Sequence, residues 1–210
     1  MRESTRIDEL TAALSDDTAD TPWEVFRRCE AADALGDIGP PAAAAIPALV
    51  RTLTVPVAVD CVLALRVAAA RALWRIGGRS DLALPRLIAA LEDEQWGVVR
   101  TAVESLSEMG EAGRPAAVWL VALARKRLAN GPFHFEKWAE DSGSGPPAPF
   151  LAVIAEALGK CASGLPEAGD VLSTLSNSPD GRIRASAEAA LARRANTRAE
   201  VAVAPDRRPQ

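Results

Sequence analysis

The 210-residue chain is 49% hydrophobic and 25% charged, which is typical of a globular protein and excludes a disordered one. Its formal net charge of −4 argues against a main role in coating nucleic acid or an anionic membrane. Because the start lacks a signal-like apolar segment, no long apolar run occurs and the three cysteines are scattered, we expect a cytoplasmic protein.

The predicted elements are a capping helix followed by pairs of helices. Residues 4–15 form the capping helix, with their apolar side chains on one face. A last single helix, 181–195, follows a Ser-Pro-Asp-Gly turn. Residues 196–210 lack periodicity, so we expect a flexible C-terminal tail. Four helical pairs lie between the capping helix and the last helix, at 23–54, 61–92, 96–129 and 148–178.

The pairs are repeats of one unit. Each first helix closes with an anchor leucine and, four residues later, a small residue that suits a helix C-terminus. The anchor leucines are Leu35, Leu73, Leu106, Leu158 and Leu191. Three residues after the leucine, the next inward position holds Ile38, Ile76, Met109 or Cys161. Ten residues past the small residue, the second helices place Leu49, Leu87, Leu120 and Leu172. No such unit buries its apolar face alone, so neighbouring units must stack.

These residues resemble a known family. RVAAARALWRIGGRSDLALPRLIAALED, residues 66–93, is similar to the short HEAT-like repeats of the phycobilisome-lyase type, and so is 27–53. The resemblance covers roughly 4–195 and implies an all-α, right-handed α-α superhelix, a HEAT-like solenoid of about four and a half helical pairs. We expect 1–195 to form this single repeat domain. The family's pattern has an arginine early in each first helix, which Arg28, Arg66 and Arg184 match.

One interval departs from the period. The third and fourth anchor leucines lie 52 residues apart, which leaves an insertion at about 128–147. The insertion holds the only histidine, His134, among three aromatic residues, Phe133, Phe135 and Trp138. The aromatic residues either pack the insertion against the repeats, as a local plug, or anchor a partner. As a third possibility, His134 is a general base oriented by Glu136 or Asp141, which requires a pocket that a sequence does not show.

The pattern indicates binding rather than a reaction. One histidine and scattered cysteines lack zinc-ligand spacing, and no phosphate-binding glycine loop occurs, so we expect no catalytic residue, metal or cofactor. We predict a non-catalytic scaffold or adaptor that binds another protein on the concave face, through the insertion, or both. The alternative is an enzyme that uses the concave cleft, and the resemblance implies bilin-lyase-like or DNA-glycosylase-like activity. The candidate partner-binding residues are Phe133, His134, Phe135, Trp138, Trp119, Arg125, Arg86 and Arg51.

Overall fold

The structure, a computed structural model, describes residues 2–15, 21–54, 62–130 and 149–203. Within these ranges all regular secondary structure is helical and no strand occurs. Two 3₁₀ helices, Pro40–Ala45 and Gly110–Ala116, lead into α3 and α7. The α-helices are α1 (Arg2–Leu14), α2 (Pro22–Ile38), α3 (Ile46–Thr52), α4 (Val62–Gly77), α5 (Ser80–Ala90), α6 (Trp96–Met109), α7 (Ala117–Asn130), α8 (Phe150–Cys161), α9 (Pro166–Leu175) and α10 (Gly181–Val203).

Two compact units divide the chain, Met1–Ser105 and Leu106–Gln210. In the first unit α2 packs along α4, α1 covers α2, and both α3 and α5 pack on α4. In the second unit α8 packs along α10, while α9 contacts α7, α8 and α10. The predicted single repeat domain stays a prediction.

The predicted repeat register is confirmed by burial. Eight leucines predicted to face inward are fully buried, four in first helices and four in second helices: Leu35, Leu73, Leu106, Leu158, Leu49, Leu87, Leu120 and Leu172. Leu191 is the exception, since it is only half-buried. In the described part of the chain, no helix after α10 covers this leucine.

Consecutive first helices approach closely where a glycine faces an alanine. A Cβ atom on Gly36 would lie 3.1 Å from Cα of Ala72, and one on Gly159 would lie 2.6 Å from Cβ of Ala190. Both glycines directly follow an anchor leucine, and both alanines directly precede the next one. The same contact therefore recurs in the first unit, between α2 and α4, and in the second, between α8 and α10.

Two of the arginines that match the family pattern bind backbone carbonyls of the preceding helical segment. Nε of Arg28 donates a hydrogen bond of 3.1 Å to the carbonyl oxygen of Leu14, the last residue of α1. Nη1 of Arg184 donates a bond of 2.9 Å to the carbonyl oxygen of Ser178, just after α9. The last carbonyls of a helix have no partner within it, so these arginines satisfy acceptors where one repeat meets the next.

The C-terminal helix is longer than predicted and contains a buried arginine. It runs to Val203, past the predicted end at residue 195, because its alanines and arginines favour helix and the first proline comes only at 205. The next inward position holds Arg194, which is only 4% exposed. Its guanidinium donates to the carbonyl oxygens of Ala162 and Leu165, in the turn between α8 and α9. A charged side chain thus fills an inward position by binding backbone acceptors.

Candidate functional surface

One face of every second helix is exposed in the same register. Positions 8, 12 and 15 past the small residue are exposed in all four repeats. Positions 8 and 12 lie in the second helix of every repeat, about one turn apart on the same side. Position 15 lies within α7 in the third repeat and in the turn after the second helix in the other three. The exposed residues are Pro47, Arg51 and Thr54 in the first repeat, Pro85, Ala89 and Glu92 in the second, Val118, Ala122 and Arg125 in the third, and Asp170, Thr174 and Asn177 in the fourth.

Position 9 past the small residue is exposed in the two middle repeats and buried in the two outer ones. It holds Arg86 in the second repeat and Trp119 in the third, and both side chains are exposed. In the first and fourth repeats the same position holds Ala48 and Val171, which are buried. The structure therefore exposes all four candidate residues that it describes. They lie on second helices and are Arg51, Arg86, Trp119 and Arg125.

The first unit offers little apolar surface on this face. Its exposed positions are proline, alanine and polar residues, and no described large apolar side chain of α3 or α5 is exposed. Arg51 makes a long hydrogen bond of 3.4 Å from Nη2 to Oγ of Ser15. The arginines Arg51 and Arg86 thus stand on a mostly small and polar surface.

The second unit carries the stronger feature, which we call the α7 surface: Val118, Trp119, Ala122, Arg125 and Lys126. Val118 is 61% exposed and Trp119 is 41% exposed, although both are large and apolar. Arg125 and Lys126 are exposed two turns further along the helix. Neither makes a hydrogen bond or ion pair with another residue in the described ranges. The α7 surface therefore combines apolar and cationic groups that the described chain leaves open to solvent.

A second exposed aromatic feature lies in the first unit, at the start of α2. Trp23 is 67% exposed and Phe26 is 51% exposed, and their rings stack with centroids 5.7 Å apart. The helix start is fixed by a capping box, in which Thr21 accepts from the backbone of Glu24 and the Glu24 carboxylate accepts from the backbone of Thr21. The sequence analysis did not select this pair. Its signal is that both aromatic residues lie off the buried face of the helix.

The described ranges show no assembled catalytic centre. They contain no group of three or more His, Cys, Asp or Glu residues placed to hold a metal ion. The thiol of Cys161 donates to the carbonyl oxygen of Leu106 at 3.0 Å, and burial raises its pKa to about 12. Such a thiol stays protonated at neutral pH and is a poor nucleophile.

Four of the candidate residues cannot be placed. The insertion residues Phe133, His134, Phe135 and Trp138 lie outside the described residues.

Two models of repeat families match the sequence. The model for HEAT repeats matches residues 60–129, and the model for the PBS lyase HEAT-like repeat matches residues 27–54. No curated protein matches the sequence. None of the described helices is long and apolar enough to cross a membrane.

A solved structure with a similar fold was found. A chain from the complex of CpcE and CpcF of phycocyanin lyase from Nostoc sp. PCC7120 aligns with a TM-score of 0.63 and 24% identity. The alignment covers 90% of the present chain, which spans only 65% of that chain's length. A designed armadillo repeat protein aligns with a TM-score of 0.41 and 18% identity, over 88% of this chain and 98% of that one. The first match confirms the predicted fold class, an all-α HEAT-like solenoid.

Proposed function

We propose that this HEAT-like repeat protein is a non-catalytic scaffold or adaptor that binds another protein on the exposed face of its second helices. The α7 surface carries the proposal, because Val118 and Trp119 expose 61% and 41% of their area in a chain with a well-formed apolar core. Neighbouring exposed apolar side chains mark interaction sites, and tryptophan is enriched among the residues that dominate binding energy.

The partner class has independent support from the fold. The matching solved structure is a complex of two proteins, CpcE and CpcF. Repeat proteins of this kind stack their units so that equivalent helices present an extended surface. Within each of the two units, positions 8 and 12 are exposed on both second helices, which is the arrangement that such a surface requires.

The enzyme alternative lacks a comparable observation. A likeness at 24% identity supports the fold and not a lyase reaction. Within the described ranges the buried thiol of Cys161 is protonated at neutral pH, and exposed carboxylates at Glu92 and Asp170 share the second-helix face with the basic residues. Carboxylates on that face repel the phosphates of a DNA backbone, so a glycosylase-like role is the weaker hypothesis.

We extend the proposal to the insertion. Phe133, His134, Phe135 and Trp138 follow α7 directly along the chain, so a partner on the α7 surface is a candidate to contact them also. We also propose a cytoplasmic location, which the reduced thiol of Cys161 supports because reduced cysteines are typical of reducing compartments.

Affinity capture from the native host's lysate, with matched variants, tests the proposed function. The bait is the full chain, the double variant Val118→Ser/Trp119→Ala, or the control Trp23→Ala, which removes an exposed tryptophan from the first unit. We expect one protein to be retained by the wild type and the control and lost from the double variant. That protein, once purified, should bind the purified wild type directly.

Two further baits complete the design. Triple replacement of Phe133, Phe135 and Trp138 by alanine tests the insertion separately, and weaker capture of the same protein is the expected result. Identical capture by the wild type and by the Val118→Ser/Trp119→Ala variant would refute the assignment to the α7 surface.

A further inference from the structure

We infer that the segment of the partner that contacts the α7 surface is an acidic amphipathic helix. The inference rests on the proposed function and assigns the chemistry of the ligand at the same surface. Charge complementarity carries it, together with the order of apolar and basic side chains along α7.

All charged residues of α7 are basic. The helix spans Ala117–Asn130 and contains three basic residues, Arg125, Lys126 and Arg127, and no aspartate or glutamate. This occurs in a chain whose formal net charge is −4. Arg125 and Lys126 are exposed, and no carboxylate of the described ranges pairs with them, so a ligand carboxylate would meet two cations that the described residues do not neutralise.

The order of residues along α7 fits a helix laid beside it. Val118 and Trp119 come first, Ala122 leaves a small gap one turn on, and Arg125 and Lys126 follow. The apolar and basic ends are separated by seven residues, or about 10 Å at 1.5 Å per residue. A helix along this line would place apolar residues at i and i+3 or i+4, and carboxylates about two turns away.

Phosphate-bearing ligands fit this surface less well. The second helix α9 packs against α7 and exposes Glu167 and Asp170, of which Asp170 occupies the register position that Val118 holds in α7. These carboxylates repel a nucleic acid backbone or an anionic membrane, which carry many phosphates. A peptide segment instead concentrates its few acidic groups at Arg125 and Lys126 and buries apolar side chains on Val118.

Selection from a phage-displayed library of random 16-residue peptides tests the inference with purified full-length chain. Clones are depleted on the Val118→Ser/Trp119→Ala variant, so that only peptides that need the α7 surface remain. We expect these to have net negative charge with apolar residues at helical spacing. Against the charge-reversed variant Arg125→Glu/Lys126→Glu, a selected peptide should bind at least about 10-fold more weakly, and a fresh selection should return basic peptides.

Three results would overturn the inference. One is a selected set without acidic bias, or peptides that bind the charge-reversed variant as well as the wild type. Another is α7-dependent binding of a single-stranded DNA oligonucleotide or of anionic vesicles. The third is concentration-dependent self-association of the wild type that charge reversal abolishes, since the occupant would then be a second copy of the chain. Thermal unfolding followed by circular dichroism verifies that every variant is folded.

The captured partner separates the two proposals. A partner lost from the Val118→Ser/Trp119→Ala variant but bound normally by the Arg125→Glu/Lys126→Glu variant leaves the adaptor proposal intact and refutes the acidic helix. A partner bound normally by both variants refutes the assignment of its binding site to the α7 surface.

Discussion

Replacing Gly159 by alanine tests the close contact between α8 and α10, on which the stacking of the last repeat depends. The new Cβ would lie 2.6 Å from Cβ of Ala190 and 2.8 Å from its Cα. A Cα is part of the backbone and cannot rotate away as the end of a long side chain can. The two helices must therefore separate to accept a single methyl group.

Two opposite effects determine how much Gly159→Ala changes the free energy of unfolding. Alanine in a helix interior is more favourable than glycine by about 0.8–1.0 kcal/mol. Overpacking a close contact costs about 1–3 kcal/mol, so the expected net change for Gly159→Ala is a loss of up to about 2 kcal/mol. The matched control is Gly97→Ala near the start of α6, where an added Cβ would meet nothing within 4 Å. That control should gain up to about 1 kcal/mol.

Urea unfolding measures the free energy of unfolding of each variant. Relative to the wild type, it should decrease in Gly159→Ala and increase in Gly97→Ala. Combining Gly159→Ala with Ala190→Gly should cost less than the sum of the two single changes, because the second change removes the Cβ–Cβ contact at 2.6 Å while the contact with the Cα at 2.8 Å remains. Stabilisation by Gly159→Ala equal to that by Gly97→Ala would refute the close contact. Simple additivity in the double variant would refute it also.

The remaining predictions concern single side chains. Arg194→Ala removes a buried side chain and its hydrogen bonds to the carbonyl oxygens of Ala162 and Leu165, which each keep one backbone donor. We therefore expect the free energy of unfolding to fall by about 1–3 kcal/mol, compared with less than about 0.5 kcal/mol for Arg193→Ala at the exposed neighbouring residue. Thr21→Ala removes the capping box of α2 and should lower stability by about 1 kcal/mol, seen in the urea midpoint. The thiol of Cys161 should make wild-type stability fall as pH rises from 9.0 to about 12, since the folded state keeps a proton that the unfolded state loses. At pH 10.5 this loss is about 2 kcal/mol and should be missing from Cys161→Ala, whereas equal pH dependence would contradict the assignment.

The repeat register was predictable because its signal is long and redundant. An anchor leucine and a small residue recur in each repeat with a matching leucine in the second helix, so several positions support one alignment. The chain end was predicted less well. Hydrophobic periodicity stops before Val203, and helix propensity alone extends α10. Arg194 was missed because its buried position depends on carbonyls of a different helical pair.

The candidate surface was predictable only in part. Arg51 and Arg125, which were selected from the sequence as partner-binding candidates, are both exposed, as expected for polar residues on a helix face away from the buried leucines. Exposure at position 9 was not derivable from spacing, because the same register position is 41% exposed at Trp119 and 4% exposed at Val171. The stacked pair at Trp23 was missed for a similar reason, since exposed aromatic residues do not follow the core pattern.

The dissociation constant of the complex with the captured partner tests the central claim most directly. It is measured by calorimetry with purified wild type, Trp119→Ala and the control Trp23→Ala. A tryptophan at the centre of an interface contributes 2 kcal/mol or more, so Trp119→Ala should weaken binding by about 30-fold while Trp23→Ala leaves it unchanged. Equal affinity of the wild type and Trp119→Ala would contradict the claim that this protein is a scaffold whose α7 surface holds its partner.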